Sequence, residues 1–401
     1  MRIPPWLRVA VALFAVGWGA NQFAAMLLVY RHEIGVSAGT ADALFGFYAL
    51  GLIPALLVGG PLSDRFGRRN LARPAVALSL VATVVLVVGA HDVPLLYVAR
   101  LLAGIASGLV FAPGTAWVKE LSAPPWDPTA DPQAGARRPA IWLSAGFGTG
   151  PLVAALLAEY VPAPLVLPYV PHLVVIVLAG LAVWTAPETV TPAPGTPVLA
   201  RLRVRSVSDR RFRGVVAPLA PWVFGAASIS LTLGAAFVAP RTGDFAVAFA
   251  GILAGVTLGT GVLIQPLARR LDAHGDVRGA TVGLTAVIAG CLVQAVSAHT
   301  GQPVAALVAG VLLGVGYGTC LVAGLLETQR IAPARELAGL TAVYYALTYI
   351  GFGVPLLLTS LTAFAGYDVL MLAMAALAVV TLVAVRVNDR RSADAGTRQV
   401  Q

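Results

Sequence analysis

Charge is what this chain lacks. Only 11% of its 401 residues are Asp, Glu, Lys or Arg, while 58% are hydrophobic. A soluble domain carries about 25% charged residues, so this chain cannot cover itself with a water-compatible surface. Lysine occurs once, at Lys119, and arginine carries the rest of the positive charge, a bias that fits a GC-rich bacterial genome. Cysteine occurs twice, at Cys291 and Cys320. Both lie in apolar runs, far apart and without metal-ligand spacing, which excludes a disulfide framework. No His/Asp/Glu cluster, nucleophile motif or Walker loop appears. These gaps weigh against a membrane enzyme and against ATP-driven pumping. No long polar segment is present to form a sensing domain, which weighs against a non-transporting sensor.

Long apolar runs fill the chain instead, and mean hydropathy is +0.84. A span needs about 20 apolar residues to cross about 30 Å of hydrocarbon. Twelve runs qualify: 9–30, 41–61, 71–90, 94–118, 139–159, 166–186, 215–238, 245–267, 279–298, 303–326, 337–361 and 367–386. Helices are the physical choice, because a helix satisfies its own backbone in lipid. Arg2 and Arg8 before the first run resemble a secretory signal. The run continues to about Tyr30, too long for a signal core of 7–15 residues, so it reads as a retained span.

Arginine placement gives the orientation. With the N-terminus in the cytoplasm, nearly all of the 27 basic residues fall in cytoplasmic segments. Arg31 and Arg241 fall outside, and Arg100 falls within a span. This is a positive-inside pattern. It accounts for the net charge of +9 without nucleic acid, and places both termini in the cytoplasm. The expected location is a bacterial cytoplasmic membrane, crossed many times.

Two stretches break the rhythm of short loops. Residues 120–138 hold Pro124, Pro125, Pro128, Pro132 and Gly135 and read as an irregular loop. Residues 187–214 are Pro-rich and end in a basic run from Arg201 to Arg213. The expected organisation is a six-span bundle over 1–186, a cytoplasmic linker over 187–214, a second bundle over 215–386 and a tail over 387–401. The basic run reads equally as an amphipathic segment on the inner leaflet or as a solvated linker.

The halves repeat at an offset near 205. Gly60-Pro-Leu-Ser-Asp-Arg65 answers to Gln265-Pro-Leu-Ala-Arg-Arg270, and Gly46 answers to Gly251. Gly104 and Gly108 of span 4 answer to Gly310 and Gly314 of span 10. Gly148-Thr-Gly-Pro151 of span 5 answers loosely to Gly351-Phe-Gly-Val-Pro355 of span 11. The fold expected is an all-α membrane protein with twelve transmembrane helices in two pseudo-symmetric six-helix bundles. Small residues four apart let helices approach closely.

Three segments resemble the major facilitator superfamily. Gly60-x-x-x-Asp64-Arg65-x-Gly67-Arg68-Arg69 resembles its signature between spans 2 and 3. Arg100-Leu-Leu-Ala-Gly104 resembles its span-4 arginine motif, with Ala103 where a polar residue is often found. Gly146-Phe-Gly-Thr-Gly150-Pro151 resembles its span-5 antiporter motif. The resemblance covers the whole chain. It implies alternating access, a small-molecule substrate, and no cofactor beyond a proton gradient. It points to export of a drug or metabolite, with proton-coupled uptake symport as the alternative. A monomer in the bilayer is expected.

The resemblance also assigns roles. It implies that Asp64 faces the start of span 11, near Glu336, as a gate element. Arg65 and Arg68 would pair with Glu120 and Glu188 at span ends. Arg100, about 10 Å below the outer surface by helical rise, is expected to meet Asn21 or Gln22, or else to snorkel to the headgroups. Gly146, Gly150 and Pro151 would thin span 5 so that it lies against span 11. Trp142, Tyr344, Tyr345 and Tyr349 are candidate cavity residues; lipid-facing or interfacial positions are the competing reading. Few carboxylates suit proton transfer. Glu33 reads as a partner of Arg31 and Asp42 as an N-terminal helix charge. His172 lies in span 6 or in an outer loop, and Glu327 reads as a partner of Arg269 or Arg330. Each is still a candidate protonation site.

Overall fold

Lipid offers no partner to a free peptide group, and every apolar run folds as a helix. The computed structural model describes residues 3–131, 133–191, 204–272, 277–333 and 336–399, with side chains to 391. Among the described residues there is no strand. Contacts divide the chain into two compact units, 1–202 and 203–401.

The first unit holds α1 (Pro5–Glu33), α2 (Ala38–Phe66), α3 (Arg68–Val88), α4 (Val93–Leu121), α5 (Ala134–Tyr160) and α6 (Val170–Trp184), with a 3-10 turn Leu167–Tyr169 before α6. Side-chain oxygens stop two of these helices at their N-termini. Ser37 accepts from the Thr40 amide at 3.1 Å and Asp92 from the Leu95 amide at 3.1 Å, each satisfying one orphan donor. The irregular segment between α4 and α5 is shorter than 120–138, because helix extends to Leu121 and resumes at Ala134. Two ion pairs hold it: Arg137 to Asp131 and Arg138 to Asp127, both at 2.7 Å. The Arg137 hydrogen bond holds the Asp131 carboxyl below its ordinary pKa.

The second unit holds α7 (Ala217–Ser228), α8 (Ala235–Thr242), α9 (Ala246–Leu263), α10 (Gln265–Leu271), α11 (Arg278–Thr300), α12 (Pro303–Ile331), α13 (Leu337–Tyr349), α14 (Val354–Leu361) and α15 (Tyr367–Gln399). Eleven apolar segments are long enough to cross a bilayer among the described residues, one of them the 60-residue stretch Phe212–Leu271. Sixty helical residues would reach about 90 Å, far more than one bilayer core, so that stretch is more than a single crossing. It breaks at Gly243, whose φ of +52° suits glycine. The count is therefore twelve. The seventh crossing joins α7 to α8 through a π-helical turn, Ile229–Gly234, and enters α7 through another, Phe212–Val216.

Residues 192–203 of the expected linker lie outside the described residues. Val204–Gly214 packs on the second unit: Phe212 is buried with Val216, Ala220, Leu340 and Tyr344, and the Asn388 amide donates to the Gly214 carbonyl at 3.1 Å. The expected tail from 387 continues α15 as helix to Gln399.

The two units repeat their closest helix crossings. A Cβ on Gly104 would strike the backbone of Tyr48 and Leu52 in α2; one on Gly314 would strike the backbone of Thr257 in α9. A Cβ on Gly146 of α5 would strike the Phe14 carbonyl and Trp18 amide of α1; one on Gly351 would strike the Pro221 carbonyl and Gly225 amide of α7. Glycine at these points lets backbones touch, which is the packing available where lipid removes the hydrophobic drive between helices. Leu178 and Leu181 of α6 and Val380 and Val383 of α15 are more than half exposed, as expected of faces turned to acyl chains.

Candidate gating and transport sites

The stretch from Gly60 to Arg69 is not a turn. Helix α2 runs through Pro61 and Asp64 to Phe66, and α3 begins at Arg68. Gly67 alone separates them, at φ 96° and ψ 151°, a conformation that disfavours a side chain. Glycine offers α3 no cap, so another group must meet its first amides. Glu188 does so. Its Oε1 accepts from the Arg68 amide and its Oε2 from the Arg69 amide, both at 3.0 Å. A carboxylate there also complements the positive end of the helix dipole. A Cβ on Gly67 would sit 2.6 Å from Glu188 Oε2, a second reason for glycine. Trp117 donates to the Pro187 carbonyl at 2.9 Å and holds this segment in place.

Arg68 is the centre of the cluster. Its Nη1 donates to Asp64 Oδ1 at 2.9 Å and to Ser63 Oγ at 3.0 Å. Its Nη2 and Nε reach the two oxygens of Glu120 at 2.9 and 3.4 Å, a two-pronged contact. Thr189 Oγ1 also donates to Glu120. One guanidinium thus ties the ends of α2, α3 and α4, and Glu120 carries the tie on to Thr189 in the segment after α6. The expected pairing of Arg68 with Glu120 is present. Arg65 departs from expectation: it lies over the Phe66 ring at 5.1 Å and forms no ion pair with either glutamate. Glu188 receives backbone amides rather than a guanidinium. Around Gly60 there is open space where a side chain would stand.

Arg100 is 1% exposed and meets neither Asn21 nor Gln22. Its Nε donates to the Leu44 carbonyl at 3.2 Å, Nη2 to the Phe45 carbonyl at 3.3 Å and Nη1 to the Ala20 carbonyl at 3.5 Å. The Phe23 and Tyr48 rings flank it at 4.5 and 4.7 Å. The reason is helical phase. Ala20 and Phe23 face α4, and Gln22, two residues beyond Ala20, points about 200° away at 3.6 residues per turn. Gln22 is buried with neither amide atom hydrogen-bonded, and Asn21 is half-buried. Snorkelling is also excluded, since the guanidinium is sealed. Beside this cage the Tyr30 and Tyr169 hydroxyls meet at 2.8 Å.

Within the first unit, the span-5 glycines Gly146 and Gly150 face α1. Gly146 and Gly150, four residues apart, present one face to Phe14 and Trp18, whereas Gly148 faces open space. Pro151 is buried on the same helix.

Candidate carboxylates and His172 sort by burial. Glu33 is exposed beside His32 Nδ1 at 3.1 Å, in place of the expected Arg31. Asp42 is 5% exposed and lies beyond the first turn of α2, so it is not an N-terminal helix charge. His172 is inside α6 and buried. Its Nε2 meets the Ala15 carbonyl at 3.0 Å, which can only accept, and its Nδ1 meets Thr83 Oγ1 at 2.8 Å. Glu327 is 4% exposed and receives Arg330 Nη1 at 3.1 Å and also Arg211. Arg330 was foreseen and Arg269 takes no part; Arg211 was missed, because 116 residues separate it from Glu327.

The aromatic candidates divide. Tyr344 is a core residue, its hydroxyl 3.1 and 3.0 Å from the Cys320 and Leu321 carbonyls. Tyr345 is half-buried. Tyr349 stacks on Phe224 at 4.4 Å between centroids, with Tyr317 and Phe352 5.6 and 5.0 Å from the same Phe224 ring. Tyr317 and Phe352 were not foreseen; Tyr317 lies between Gly316 and Gly318, and its ring occupies the space left by the absent side chain of Gly261 in α9. In the first unit Trp142 is half-buried and meets Phe14 edge-on at 6.1 Å. Among the described residues no group of three His, Cys, Asp or Glu could hold a metal ion.

Comparison with solved structures gives the same fold along nearly the whole chain. A variant of the nucleoside transporter NupG matches 96% of this chain and 99% of its own, at 13% identity and TM-score 0.75. A peptide transporter POT variant matches 96% and 95%, at 16% identity and TM-score 0.75. A POT family transporter in complex with 5-aminolevulinic acid matches 96% of each chain, at 13% identity and TM-score 0.77. No curated protein matches the sequence. The sequence model of the Major Facilitator Superfamily matches residues 9–243, more than half of the chain. The protein is therefore a multi-pass membrane transporter, not an enzyme, and belongs to the major facilitator superfamily.

Proposed function

We propose that the protein exports a small organic compound, a drug or metabolite, against proton entry by alternating access. The observation that carries this reading is the Arg68 cluster, two ion pairs joining α2, α3 and α4, with hydrogen bonds from Thr189 and to Glu188 adding the segment after α6. Such a cluster is formed or broken as a unit and can bias a two-state movement. We place it on the cytoplasmic side, with both termini, because the arginines concentrate there. The direction of transport rests on Gly146, Gly150 and Pro151. Trp142 and Asn21 in the first unit and Tyr345 in the second are each half-buried and uncharged, which suits neutral or amphipathic solutes. Asp42 and Glu327, both buried carboxylates, are the proposed proton carriers. A monomer in the bacterial cytoplasmic membrane is the proposed working form.

A second reading is proton-coupled uptake symport of a small metabolite, favoured by structural neighbours that are nucleoside and peptide transporters. Proteoliposomes separate the two. An acidic lumen is expected to drive accumulation of at least one compound from a panel of neutral and cationic amphiphiles. Accumulation driven only by an acidic exterior would establish symport instead.

A further inference from the structure

The second unit has a charge cluster of its own, and its arginine comes from an unexpected place. The sequence counterparts of Asp64 and Arg65 are Arg269 and Arg270. Both are exposed and pair with no described carboxylate. Glu327 nevertheless stands within one residue of the counterpart of Glu120: Glu120 is twelve residues beyond Gly108 and Glu327 thirteen beyond Gly314, at the same end of the helices whose glycines pack alike. Arg211, one residue before the seventh crossing, donates from Nε to Glu327. Its Nη2 reaches Asp389 of α15 at 2.9 Å. A planar guanidinium suits this task, since its fork can hold two carboxylates at once.

The remaining parts are redistributed in a consistent way. In the first unit Glu188, which follows the sixth crossing, caps α3. In the second, Asp272 Oδ1 caps α11 by accepting from the Gly279 amide at 2.9 Å, and Arg330 donates to the Asp272 carbonyl. The last helix of the second unit is thereby released from capping, and its Asp389 is left to receive Arg211. Asn388, beside it, holds Gly214.

We propose that Arg211 is the gate arginine of the second unit, doing for α7, α12 and α15 what Arg68 does for α2, α3 and α4. The inference rests on the alternating-access reading. It makes the last residues before the seventh crossing part of the gate rather than a passive tether.

Spin labels at Asn70→Cys in the first unit and Arg270→Cys in the second, on the full-length protein in nanodiscs, report the separation by double electron–electron resonance. Arg211→Ala is expected to raise the ratio of long to short separations by about threefold, the scale on which partly exposed ion pairs act. Arg68→Ala is expected to move it in the same direction. Adding Asp389→Asn to Arg211→Ala is expected to move it no further, because Arg211→Ala has already removed the contact that Asp389 makes with it. A shift with Arg68→Ala but none with Arg211→Ala overturns the inference alone. No shift with either overturns the alternating-access reading too. An additive double variant overturns the pairing as the cause. If Arg211→Ala does not fold, Asp389→Asn takes its place: a shift in the same direction supports the role of Arg211, and an unchanged distribution overturns it.

Discussion

Arg100 shows how a buried charge can be held without an opposite charge. Three main-chain carbonyls and two ring faces surround it. Those carbonyls belong to helices and already accept amides one turn on, so removing the arginine orphans none of them. Desolvating a charge is unfavourable, and replacing buried ions by apolar groups of similar volume is often neutral or stabilising. Arg100→Met is therefore expected to leave the thermal midpoint of the purified protein within about 4 °C of the wild type, or to raise it. Its transport activity is read separately in the proteoliposome assay, and a stable but inactive variant would assign Arg100 to function. A much larger fall in midpoint would show that the cage is a net structural pin. The sequence singled out Arg100 because a charge within an apolar run is conspicuous. Its partners were illegible, because carbonyls exist at every residue and carry no sequence signal. Glu188 was legible as a charged span end for the same reason, and its work as the cap of α3 was not.

At the scale of the helix, spacing decides what a glycine does. Gly146 and Gly148 belong to one motif, yet only the first touches α1. Gly146→Val is expected to force α5 away from the Phe14 carbonyl and to lower stability by about 1–3 kcal/mol, as overpacking does. Gly148→Ala, with open space around it, is expected to change nothing measurable. Thermal unfolding of the two variants in detergent checks the contrast; equal effects would mean that α1 and α5 part easily. The apolar runs made the helices legible, and their ends were read too short because charged residues continue a helix beyond the lipid. Residues 62–70, which hold most of the signature between spans 2 and 3, were left outside both runs for that reason. Only Gly67 has a non-helical backbone there, and Pro61 and Asp64 complete the last turns of α2. The contact of α5 with α1 was not legible, because a motif names residues without their direction.

The molecule as a whole is a duplication whose halves keep their crossings and vary their charges. Its orientation can be tested directly, because Cys291 and Cys320 are both buried. Thr129→Cys, on the exposed segment between α4 and α5, is expected to react with an impermeant thiol reagent only in permeabilised cells. Phe364→Cys, between α14 and α15, is expected to react in intact ones. The reverse pattern would invert the proposed topology. Twelve crossings and the repeat were legible in sequence, since both are periodic properties of composition. The cluster around Arg211 was not, because it joins residues more than a hundred positions apart. The two π-helical turns of the seventh crossing bear on descent. Each lets a helix hold one surplus residue while its flanks keep their facing. A duplicated gene could therefore accept single-codon insertions within a span, and Gly351 still meets Gly225 as Gly146 meets Trp18. An alignment of the halves that confines gaps to loops would lose its register inside this helix, and ancestral reconstructions built on it would carry that error into every residue beyond Ile229.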